Sequence, residues 1–88
     1  MPANSMEADL IGQLVIYDNE AARVHPAPRV VTHGIIIGES VAAHAVLIKW
    51  HECAWPDWVS LTSVFHDGDN KAFKPVYYFY EDWKNRYR

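Results

Sequence analysis

Few residues of this chain could do chemistry, and they are scattered. In the run His51-Glu52-Cys53 a histidine and a cysteine stand two positions apart, with His44 and His66 as further donors, and together they invite a metal. A structural zinc takes four ligands at recurrent short spacings, and no Cys-x2-Cys or His-x3-His pair accompanies these residues. The spacing therefore predicts neither a metal nor a cofactor. Cys53 beside His51 or His66 would pair a thiol with a base, but thiol activation also needs an orienting group and an oxyanion site, and neither has a signature here. A thiol in an apolar turn is expected to be a small buried filler. Asp67 with Asp69 and Glu81 with Asp82 read as turn or solvated carboxylates. "HDGDN" lacks the further oxygens and the closing glutamate of a calcium loop, and there is no glycine-rich phosphate loop. The chain is not expected to be an enzyme.

Aromatic surface is abundant instead. "AVLIKWHECAWPDWVSLTSV", residues 45–64, carries Trp50, Trp55 and Trp58. Trp50 alternates with Val46 and Ile48 and is expected in a core, while Leu47, Lys49 and His51 face the other way. Trp58, before Val59, is expected in the core or at its rim. Trp55 lies between Ala54 and Pro56 in a turn, where burial is difficult, and is the best candidate for an exposed anchor. In "VYYFYEDW", alternation sets Tyr77 and Phe79 against Tyr78 and Tyr80. A small barrel buries one such face, so Tyr78 and Tyr80, with Trp83 and Tyr87 behind them, are expected to form a patch that the N-terminal segment covers or another chain binds. The expected partner-binding set is Trp55, Tyr78, Tyr80, Trp83 and Tyr87, with Lys84 and Arg86 alongside.

Charge narrows the partners. The 88 residues carry a net charge of −3, so the excess of cations that non-specific nucleic-acid binding draws on is missing. Glu7, Asp9, Asp18 and Glu20 precede the first cation, Arg23, whereas Lys84, Arg86 and Arg88 make a small basic end. Cys53 is the sole cysteine, which rules out an internal disulfide. No apolar run approaches the roughly 18 residues of a membrane span, and the opening lacks a basic-then-apolar leader. A soluble, unsecreted protein is expected. Half the residues are hydrophobic and only 22% charged, a balance that folds.

The elements that must position the aromatics are short strands. Residues 1–9 are polar, small and expected to be loose, and 10–88 form one small domain with an aromatic C-terminal extension. "LIGQLVIYD" reads as a first strand, and the proline-containing run 19–29 as a long loop. "VVTHGIIIGES" reads as a second strand that bends or bulges at its glycines. Residues 44–51 form a third, and "WVSLTSVF" a brief strand followed by a 3-10 turn. After a polar loop around Gly68, "PVYYFYEDWKNRYR" starts as a strand and ends in a short helical turn after Glu81. About five short antiparallel strands cannot leave many edges exposed, and closure into a small all-β barrel is the economical solution.

The order "LIGQLVIYD", "HGIIIGES", "AVLIKWHE", "WVSLTSVF" resembles the SH3-like small barrels common among short bacteriophage-encoded proteins, over roughly residues 10–65. "LVIYDNEAA" also looks like the opening of eukaryotic signalling SH3 domains. The acidic loop, tryptophan pair and Ser-Asn-Tyr segment with which those grip proline-rich peptides have no counterpart here. The resemblance, with the aromatic excess, implies a non-enzymatic protein-binding module: a phage accessory protein or inhibitor of a host protein in the host cytoplasm, or a virion structural adaptor. Its expected partner is another protein, host or viral, with self-association compatible and no membrane involved. The alternative is single-stranded nucleic-acid binding, with bases stacked on Tyr and Trp and phosphates held by Lys84, Arg86 and Arg88.

Overall fold

Alternation along the chain becomes alternation across a curled sheet. The computed structural model describes residues 10–65 and 74–87. Its strands are β1 (Leu14–Asp18), β2 (Val31–Ser40), β3 (Ala45–Trp50), β4 (Asp57–Ser60), β5 (Val64–Phe65) and β6 (Tyr77–Phe79), followed by one helix, α1 (Tyr80–Tyr87). The sheet order is β4-β3-β2-β1-β6-β5. Strands β1 to β4 form an antiparallel meander, β6 returns antiparallel to β1, and the two-residue β5 pairs parallel with β6. This is a small SH3-like barrel, as expected, with the added two-residue strand and a full two-turn helix where a short helical turn is predicted.

The connection between β4 and β5 forces the curl. In a flat sheet these edge strands would lie about 24 Å apart at the usual strand spacing. They are joined only by a 3-10 turn, Leu61–Ser63, and four residue steps reach at most about 14 Å even fully extended. The sheet must therefore bend round on itself. Ser60 starts the turn by accepting a hydrogen bond from the Thr62 amide at 3.3 Å.

Strand β2 makes the bend, pairing with β1 through residues 31–35 and with β3 through 34–40. Its register slips between Ile36 and Gly38, leaving Ile37 as the extra residue of a bulge, the irregularity expected at these glycines. Gly34 marks the tightest approach. A Cβ there would lie 2.6 Å from Ile48 Cγ2 and 2.9 Å from Trp50 Cε3, so no larger residue fits beneath the indole. Inside the curl pack Val15, Ile36, Val46, Ile48, Trp50, Val59, Val64 and Phe79, which places Trp50 on the inner face assigned to it from alternation.

The long loop between β1 and β2 is held by side chains. The Asn19 side chain donates to Pro28 O (3.1 Å) and accepts from the Val30 amide (2.8 Å). Arg23 pairs with Glu20 at 3.0 Å. Both hairpin turns of β3 carry a non-glycine residue in the left-handed region, His44 (φ 52°) and Glu52 (φ 65°).

Candidate functional site

The residues singled out in the sequence fall into separate places. Trp55, in the β3–β4 turn, is 81% exposed, as a turn position between Ala54 and Pro56 predicts. Trp58 is 57% exposed and lies outside the core. It pairs with Leu47, which points away from the core, so strand parity puts the indole on the outer face. Leu14 and Ile35, themselves paired, continue that face across β1 and β2, and all of these except the half-buried Leu47 are exposed.

The C-terminal aromatics have a different fate. Tyr78, expected to be exposed, is fully buried, because α1 folds back over the outer face of β1 and β6. The second face of "VYYFY" is thus covered by the chain's own helix, where the N-terminal segment or another protein is expected. Tyr78 and Ile16 are cross-strand neighbours on that face, and both are buried outside the main core. The Tyr78 hydroxyl lies 3.3 Å from Pro75 O and 3.4 Å from the Tyr87 hydroxyl. Burial first, then the Tyr87 hydroxyl, pushes its phenol well above the ordinary range.

Asp18 is the polar centre of this second cluster and is fully buried. Arg29 grips it with two hydrogen bonds (3.1 and 2.7 Å), Trp83 Nε1 donates to it at 2.8 Å, and the Glu20 amide at 3.0 Å. Burial alone would raise its carboxyl. The bonds from Arg29, Trp83 and Glu20, with the charge of Arg29, outweigh burial and hold it below its ordinary 3.8. Arg29 also lies 5.1 Å from the centre of the Tyr87 ring. Trp83 and Tyr87 are therefore half-buried structural contacts, as is Tyr80, whose ring is 6.3 Å from that of Trp83. Lys84 pairs with Glu81 (3.1 Å) and sits over Tyr80, and Arg86 over Tyr78 and Tyr87. Helix α1 lies on β1 and β6, with β2 between β1 and the strand that leads to Trp55.

The histidine and cysteine set disperses. His44 and His51 sit at opposite ends of β3, about 20 Å apart along the strand. His51 stacks on His33 with ring centres 4.7 Å apart and approaches Glu52 at 3.2 Å. Cys53 is exposed, contrary to its expected role as buried filler: it lies in the turn that also lifts Trp55 off the sheet. Among the described residues no three His, Cys, Asp or Glu converge as a metal site. His66, Asp67, Asp69 and the rest of "HDGDN" lie outside the described residues, as do Arg88 and the segment 1–9.

Sequence reasoning missed one cluster. Tyr17, Trp50 and Tyr77 lie at or next to strand ends at the same mouth of the barrel, since β1 and β3 finish there and β6 begins there. Tyr77 meets Tyr17 edge-on (ring centres 5.8 Å apart, 66°) and lies 5.9 Å from Trp50 at 33°. Asp57, the first residue of β4, completes this end. Burial first, then Tyr17, then the Asp57 carboxylate, pushes the Tyr77 phenol up. Parity places each ring on the inner face, but only the register brings the three together.

Among the described residues no helix is long and apolar enough to cross a membrane. No family model, curated protein or solved structure matches this chain.

Proposed function

We propose that this chain is a non-enzymatic protein-binding module, a phage-encoded accessory protein or inhibitor that engages a host protein in the host cytoplasm. The observation that carries this reading is Trp55, an indole 81% exposed in a turn between two strands of a curled sheet. A large rigid side chain held out by a stiff scaffold loses little conformational entropy on binding, which is how aromatic anchors come to dominate interfaces. Trp58 and the aliphatic outer face of β1–β3 extend the apolar surface next to it. The phage origin is supported by the resemblance in strand order and glycine and tryptophan placement. The cations of α1 favour a protein partner over nucleic acid, because Lys84 is paired with Glu81 and Arg86 lies over two tyrosine rings.

The test is capture of a partner from host lysate by wild type and by Trp55→Ala, followed by affinity measurement across a salt series. Trp55→Ala is expected to keep a dispersed amide spectrum and to weaken the captured partner by about 2 kcal/mol or more, with little salt dependence. Unchanged affinity in Trp55→Ala removes the anchor from the site. A steep salt slope that collapses only in the double variant Lys84→Ala/Arg86→Ala identifies the ligand as nucleic acid.

A further inference from the structure

The helix-side aromatics of this chain already carry cations of their own. Lys84 lies over Tyr80, Arg29 over Tyr87, and Arg86 over Tyr78 and Tyr87, each within 6 Å of a ring centre. The mouth of the barrel is built from the same materials and is treated differently. Tyr17 and Tyr77 are half-buried there with their rings at 66°, and the Trp50 indole lies 5.9 Å from the Tyr77 ring. Among the described residues no cation lies over any of these three rings, and Asp57 at the same end has no ion-pair partner. Two half-buried tyrosine rings at a steep angle, with an indole beside one of them and an unpaired carboxylate at the same end of the barrel, form an environment that attracts an alkylammonium group. The ring quadrupoles and the carboxylate act on the cation together, and the partial burial of the tyrosines reduces screening by water.

We infer that the barrel mouth formed by Tyr17, Trp50, Tyr77 and Asp57 is a binding site for an alkylammonium group, and that its natural occupant is a lysine side chain on the partner protein. The lysine assignment rests on the protein-binding reading. It is favoured over a free amine because the β3–β4 turn leads from Trp50 through Trp55 to Asp57, which joins the mouth to the exposed anchor. A partner resting on Trp55 can present a neighbouring lysine to the rings without crossing the barrel. Trp55 then supplies apolar contact, and the mouth supplies selection for charge.

Three probes distinguish the alternatives by NMR titration of the intact chain: N-acetyl-lysine-N-methylamide, its norleucine counterpart, and tetramethylammonium chloride. The lysine amide is expected to shift the ring protons of Tyr17 and Tyr77 and the Trp50 indole saturably in the millimolar range, with the norleucine amide giving no saturable shift. Asp57→Asn, at an exposed position, should retain the fold and weaken the lysine amide about fivefold to tenfold. Equal shifts from the norleucine amide would make the mouth an apolar slot and overturn the site. So would an Asp57→Asn variant that binds the lysine amide as wild type does. Saturable binding of tetramethylammonium alone would overturn the lysine assignment in favour of a free quaternary amine. Failure of all three probes, while Trp55→Ala still weakens a captured partner, removes the ammonium site and leaves the protein-binding reading standing. Lysine binding that needs Asp57, with a captured partner indifferent to Trp55→Ala, does the reverse.

Discussion

Three parts of the chain converge on Asp18: the loop through Arg29 and the Glu20 amide, strand β1 that carries it, and helix α1 through Trp83. A carboxylate removed from water needs such compensation, since a buried charge without partners costs several kcal/mol (about 3–5 when one partner of a buried pair is lost). Because the folded carboxyl is held below its unfolded value, Asp18 contributes stability that is fully present above about pH 4 and is lost as pH falls through the lower folded value. Denaturant unfolding followed from pH 7 downward should show the unfolding free energy dropping below about pH 4. Asp18→Asn should be less stable at pH 7 by about 2 kcal/mol, from the lost charge-assisted bonds, and should lack that acid-dependent part of the loss. Equal pH profiles for the two proteins would show that Asp18 does not carry the linkage. In the sequence Asp18 is one of several early acids. Its side-chain partners lie 11 and 65 positions further on, at separations no local pattern encodes.

Helix α1 depends on what it lies against. An eight-residue helix is too short to persist alone in water, and none of its residues is buried. Acidic Glu81 and Asp82 in the first turn and basic Lys84 and Arg86 in the last suit the helix dipole and contribute a few tenths of a kcal/mol each (about 0.3–1). The decisive contacts are Trp83 to Asp18, and Tyr87 to Tyr78 and Arg29. Trp83→Ala is therefore expected to lower stability by about 2–3 kcal/mol. It should also abolish hydrogen-exchange protection in α1 while β2 and β3 stay protected. Retained protection in α1 would mean that Tyr87 and the backbone suffice to dock it. The strand beginning at Tyr77 is legible from its aromatic and β-branched run. The helix is legible only as a turn, because Tyr80 suits a strand as well as a helix and the docking surface that decides between them is distant in sequence.

At the scale of the whole molecule, stability comes from curling the sheet around its main core, and Trp50 is the largest side chain of that core, lying above Gly34 and beside Tyr77. Trp50→Ala should cost about 3–5 kcal/mol, comparable to the entire stability of so small a domain. Loss of amide dispersion at room temperature is the expected result, and a well-dispersed spectrum would show that the sheet closes without the indole. The sequence by itself determined the small barrel and the inner face of its third strand. Alternation has a period of two residues, so Val46, Ile48 and Trp50 declare a common face within one short window. It also determined that Trp55 stands out, since a turn flanked by alanine and proline offers nothing to cover an indole. Tertiary structure alone decided that Tyr78 is buried, that Trp83 and Tyr87 serve the fold, and that Tyr17, Trp50 and Tyr77 meet at one mouth. Each of these depends on contacts between residues far apart in the chain, set by strand register and helix docking, and a residue's own neighbours in sequence carry no information about which distant surface will cover it.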